Sequence, residues 1–194
     1  LLSEEFSDGE NVSPLLILII GRSVDDARKV DASIKERVLE LSEIDKKEQV
    51  EYESVRWASC LVLARWGDDM ALNLVMDGLR HDQNVVRQAM QHPSFAVYIE
   101  NRKATEYLVD MLFIEKRLPE LDGLPGPHYA VRAFPLVVHH LNVSPVKEKR
   151  DGTYSIDDLK TLRGWIVKQH TLTFTYGGKR VVVPVSKLNT DMDE

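Results

Sequence analysis

The sequence predicts an all-α protein, an α-α superhelix of about three to four stacked helix pairs with a small C-terminal β-hairpin cap. Three observations predict it. A Val-Arg phrase recurs at Val55-Arg56, Val86-Arg87 and Val131-Arg132, each time at the head of an apolar run. A second run at helical spacing, Met70 to Arg80, lies between the first two phrases. Near the end the pattern changes to Thr171–Tyr176, Gly177-Gly178 and Lys179–Val185, strand formers around a two-residue turn.

Each element has a local reason. Residues 1–12 are polar and acidic and read as a flexible leader. Ser13-Pro14 can cap and start a helix. Leu15 to Ile20 then reads as a short helix ending near Gly21, with a buried strand left open because so short a run fits both periods. Ser23 with Asp25 and Asp26 suits a second N-terminus, followed by Val30, Ile34, Val38 and Leu41 at helical spacing. Residues 42–53 are largely charged and read as an exposed connection or helix extension. Ser54 caps the next helix, which Gly67 stops, and Asp68 and Asp69 start its neighbour. After the polar turn 81–84 a helix runs to Tyr98 or Ile99, with a kink or break expected at His92-Pro93. Ala104 to Leu118 reads as one helix, and 119–127, with three prolines and two glycines, as a loop. A helix bent at Pro135 spans 128–141, and Ser155 with Asp157 and Asp158 opens the last one. The expected division is therefore a helical repeat domain over 13–170, a hairpin cap over 171–186 and a disordered tail over 187–194.

Composition narrows the function classes. At 194 residues the chain can bury one sizeable core. Its net charge is -6, and residues 1–54 hold 14 acids against 7 bases while the remainder is nearly balanced. No basic stripe is implied, which argues against nucleic acid as the partner. The longest apolar run, Leu15 to Ile20, is far too short to span a membrane. The single cysteine, Cys60, sits in an apolar helix and reads as a buried, inert thiol. It does not fix the redox compartment; localisation stays open, with a slight lean to the cytoplasm. Leu1 in place of Met is what a fragment or a processed form would show.

Val55-Arg56-x-Ala58-x-x-x-Val62-Leu63-Ala64-Arg65-x-Gly67-Asp68, then Ala71-Leu72, Leu79 and Val86-Arg87-x-Ala89, resembles the HEAT-repeat family, in its bacterial Val-Arg form. The third phrase matches more loosely: it lies 45 residues after the second where the first two are 31 apart, and it carries Pro135. The resemblance implies an armadillo-like α-solenoid in which each helix pair shares a core with its neighbours. It places the Val-Arg helices on the inner surface, pairing 69–80 with 85–99 and 102–118 with 128–141. It also implies that the arginine pairs with an aspartate of the preceding turn, as Asp82 stands before Arg87.

Chemistry is harder to find. His139 and His140 are adjacent and so diverge by about 100° on a helix, while His128 and His139 share a face roughly 16 Å apart. There is no His-x-x-x-His, no Glu-x-x-His and no second cysteine, so no metal ligand set is assigned. Asp25/Asp26, Asp68/Asp69 and Asp157/Asp158 all stand at helix starts, where the dipole accounts for them. Ser59 lies mid-helix without a base, and Gly177-Gly178 lacks the sequence of a phosphate loop. No catalytic residue and no cofactor is assigned, and whether the chain is an enzyme is left uncertain, on balance not. The function expected is a non-catalytic protein–protein interaction scaffold, its partner another protein, using the inner surface of a short HEAT-like solenoid. Arg56, Trp57, Gln91, Arg132 and His139 are the candidate contacts. The alternative is an enzyme or DNA-binding protein on the same scaffold, serving DNA repair or cofactor handling; a structural spacer is a third reading.

Overall fold

The structure is a computed structural model, and it describes residues 12–24, 29–44, 54–120, 124–147 and 153–188. It is mostly helical, with one two-stranded antiparallel sheet at the C-terminal end of the described residues. The chain divides into two compact units, residues 1–81 and 82–194. The division falls inside the region expected to be a single repeat domain.

In the first unit, α1 (Pro14–Ser23), α2 (Ala32–Ser42) and α4 (Asp69–His81) all pack on α3 (Val55–Arg65). The reason is the composition of α3: Trp57 to Ala64 are all buried, so the helix is covered on every side. Ser54 caps it by accepting from the Trp57 amide at 3.0 Å. Its end is a left-handed Gly67 (φ 92°), with the Asp68 amide donating back to Leu63 O at 2.9 Å. Asp68 then caps α4 through the Ala71 amide. The buried face of α4 carries Ala71, Leu72, Val75, Met76 and Leu79, a helical stripe turned to α3. Truncating Leu61, 1 % exposed, to alanine removes about 2–5 kcal/mol.

Two expectations change here. Ser23 does not open a helix: its hydroxyl donates to Ile20 O and closes α1. Helix α2 begins at Ala32 under an Asp31 cap, because that carboxylate reaches the Ser33 amide at 2.9 Å. The Asp25/Asp26 pair, residues 45–53, and the leader over residues 1–11 lie outside the described residues.

In the second unit, Asn84 caps α5 (Val85–Met90), and the chain breaks at Gln91 before α6 (His92–Ile99), which carries Pro93 in its first turn. The expected interruption at His92-Pro93 is present. Glu100 is left-handed (φ 54°), and Asn101 caps α7 (Arg102–Asp110). The helix expected to reach Leu118 stops much earlier. After α7 there is a single 3-10 turn (Met111–Phe113), and residues 114–118 run extended. Pro119 disfavours helix in its predecessor, and the extended segment gains partners: Leu118 N donates to Pro127 O (2.9 Å) and Tyr129 N to Lys116 O (2.8 Å).

The third Val-Arg phrase also breaks. Tyr129–Val131 is a 3-10 turn, and α8 (Ala133–His140) starts only after Arg132. His128 and His139 therefore do not share one continuous helix. Last come α9 (Ile156–Ile166), β1 (Thr171–Tyr176) and β2 (Lys179–Pro184), the strands joined by left-handed Gly177 and Gly178. The hairpin belongs to the core of this unit. Leu172, Phe174, Tyr176, Val181 and Val183 are buried at alternate positions, β2 packs on α7 and β1 on α8. Asn142 N extends the pairing to Thr173 O, and Tyr176 Oη meets Thr105 Oγ1 at 3.1 Å. A 3-10 turn (Val185–Lys187) and buried Leu188 carry order two residues into the expected tail; residues 189–194 lie outside the described residues.

Candidate functional site

A buried polar network organises the second unit. Asp82 accepts from Arg87 Nε and Nη2, both at 2.6 Å, and from His92 Nε2 at 3.0 Å. Hydrogen bonding to Arg87 holds the Asp82 carboxyl down to about 2, despite the opposing effect of burial. An ionised carboxylate only accepts, so the His92 proton sits on Nε2. Nδ1 is then the acceptor for Tyr107 Oη at 2.8 Å. Burial pushes the His92 imidazole down to about 4, so it is neutral near pH 7. Tyr–His–Asp is an arrangement able to relay a proton, but the His92 side chain is fully enclosed and meets no substrate in this conformation. Gln88 Nε2 donates to Asp82 O, and Gln88 Oε1 accepts from Tyr129 Oη at 2.8 Å.

Tyr129 ties this network to an open surface. Segments 116–118 and 127–129 form a short antiparallel pairing, bridged at Arg117 and His128. Gly126 permits it: a Cβ there would lie 1.9 Å from Leu118 O. Opposite stands α9, locked at its start by a reciprocal cap in which Ser155 Oγ accepts from Asp158 N (3.1 Å) and Asp158 Oδ2 accepts from Ser155 N (2.9 Å). Ile156, Leu159, Lys160 and Arg163 then project from one face of the helix.

Between these walls are two neighbouring depressions that share His128, Ile156 and Leu159. The first, about 370 Å³, is an apolar hollow walled by Val131, Phe134, Tyr154, Ile156 and Leu159. At its back the Phe134 and Tyr154 rings meet edge to face at 4.5 Å. The second, about 350 Å³, has the charged residues Glu115, Lys116, Arg117, Lys160 and Arg163 in its lining. Arg163 is buried; it donates to Leu112 O and Glu115 Oε1, and its Nη2 has no hydrogen-bond partner among the described residues.

His128 stands between the two. Its Nδ1 accepts from Ala130 N (3.1 Å), which leaves Nε2 to donate toward Glu115 Oε2 at 3.4 Å. Burial depresses the imidazole below its ordinary range, Glu115 opposes this, and Arg163 and Arg117 add to it. At Glu115 burial acts upward, but Arg163 and His128 outweigh it and hold the carboxyl low.

The expected contact residues fall elsewhere. In the first unit Arg56 donates to Ser42 O and Glu43 O, closing the C-terminus of α2, and Trp57 is only 2 % exposed. A side chain so buried offers no surface to a partner, which removes Trp57 as a contact; it fills the core around α3. In the second unit Gln91 is half-buried at the break between α5 and α6, Arg132 is exposed ahead of α8, and His139 is exposed in the last turn of α8. None of them lines the two depressions. Among the described residues no group of three His, Cys, Asp or Glu side chains could hold a metal ion, and no helix is long and apolar enough to cross a membrane.

Sequence reasoning anticipated the Asp82–Arg87 pair and missed the groove. Its signals were present: Ile156, Leu159, Lys160 and Arg163 at helical spacing, and Lys116-Arg117 beside a proline-rich loop. Nothing in the sequence joins the two, because Glu115 and Arg163 meet across 48 positions. No family model, no curated protein and no solved structure matches the chain.

Proposed function

We propose that the chain is a non-catalytic protein-interaction module of HEAT-like helix pairs, and that its partner docks in the groove between α9 and the 127–134 segment. The observation that carries this is the open apolar hollow, with Val131 and Ile156 at its lip 40 % and 42 % exposed. Exposed apolar side chains around a hollow gain from being covered by an apolar partner group. The HEAT-like part of the reading is supported by the bidentate Asp82–Arg87 pair, the contact that the family resemblance implies.

The test compares the wild-type chain with Val131→Glu and Ile156→Glu in capture from a lysate of the source organism. Both positions are exposed enough for the variants to fold, which helical circular dichroism verifies. A protein held by wild type and released by both variants is the expected result. An identical set of captured proteins on all three overturns the assignment of the groove.

A further inference from the structure

We propose that this groove selects an acidic peptide segment of its partner, one with an apolar side chain followed two positions later by a carboxylate. The inference rests on the reading of the groove as a protein-docking surface and specifies its chemistry. Three observations carry it.

The first is charge. The second depression brings Lys116, Arg117, Lys160 and Arg163 against one carboxylate, Glu115, in a chain whose net charge is -6. The sign of the surface is thus reversed locally, and Glu115 is already engaged by Arg163 and His128. Lys116, Arg117 and Lys160 are exposed, so their charge is available to an incoming group.

The second is continuity. Because Ile156, Leu159 and His128 belong to both depressions, one ligand can occupy both.

The third is spacing. Ile156 and Lys160 are four residues apart on α9, a rise of about 6 Å. In an extended peptide, residues i and i+2 face the same way at nearly that distance, roughly 6.5 Å. An anchor in the Phe134–Tyr154 hollow therefore places the second side chain after it over Lys160 and Arg117.

The experiment uses the full chain and a fluorescein-labelled peptide of about eight residues, Gly and Ser throughout except for Phe and Glu at i and i+2. Companion peptides carry Gln for Glu, or Ala for Phe. Fluorescence anisotropy is expected to give roughly tenfold tighter binding for the Glu peptide than for the Gln peptide, the combined effect of several exposed ion pairs. Raising salt narrows that gap, since the pairs face solvent. The exposed-site variant Lys160→Glu is expected to abolish the preference for the Glu peptide over the Gln peptide, and an undiminished preference overturns the proposal.

Equal binding of the Glu and Gln peptides overturns the acidic selection and leaves the docking reading intact. No binding of any peptide, together with unchanged capture by Ile156→Glu, overturns both. Displacement of the Glu peptide by free 3-phenylpropionate at equal concentration also overturns the proposal, since the groove would then serve a small carboxylic acid.

Discussion

His92 couples the stability of the second unit to pH, and the size of the coupling follows from its surroundings. The imidazole is fully enclosed, its Nε2 proton held by Asp82 and its Nδ1 lone pair by Tyr107. Burial takes it from 6.5 down to about 4. A base whose affinity for protons is lower in the folded state stabilises the fold above its unfolded pKa. That stability is lost as pH falls from about 6.5 toward about 4, because the unfolded chain takes up a proton there and the folded chain does not. Integrated from about pH 7.5 to about pH 5, the loss through this one residue is about 2 kcal/mol. Asp82 does not produce it, since a carboxyl held near 2 stays ionised across that window. The comparison is between wild type and His92→Gln, with stability in urea read by amide hydrogen exchange of peptides from α5 and α6, which reports on the second unit alone. His128, also depressed, contributes equally to both proteins and cancels. The variant's stability should fall about 2 kcal/mol less than wild type over the same interval. Equal pH dependence in the two proteins would show that His92 titrates normally, and the enclosed relay geometry would be wrong.

Three further outcomes are expected. Gly126→Ala drives a methyl into Leu118 O, separating 116–118 from 127–129; it should cost about 1–3 kcal/mol and abolish binding of the Phe/Glu peptide, both checked on one sample by thermal unfolding and anisotropy. Ser155→Ala removes the reciprocal cap of α9 and should cost about 1 kcal/mol by urea unfolding, with first-turn amides of α9 exchanging faster; unchanged protection would refute the cap's role. Cys60 is enclosed, its thiol pushed up to about 11 by burial, so a disulfide reagent should label the native protein only on the timescale of unfolding; rapid labelling at about pH 8 would contradict the packing of α3.

What could be read from the sequence was whatever is settled within one helical turn or one strand repeat. Ser54, Asp68 and Ser155 cap where their spacing says they should, because each accepts from an amide three residues on. Gly67 stops a helix and Gly177-Gly178 turn a hairpin because glycine, lacking a Cβ, takes positive φ values at no steric cost. The buried stripe of α4 and the alternation of β1 follow from the periods of helix and strand. The tertiary structure decided everything that depends on residues distant in the chain. Trp57 could have stood on a surface or in a core; the packing of three other helices on α3 put it inside. Residues 114–118 could have continued a helix, but their amides and carbonyls found partners at 127–129, which Gly126 alone allows so close. His92 meets Tyr107 across 15 positions and Arg163 meets Glu115 across 48. Pairings of that range carry no local pattern, since each is chosen by which buried polar group would otherwise lack a partner, and only the packed chain determines that.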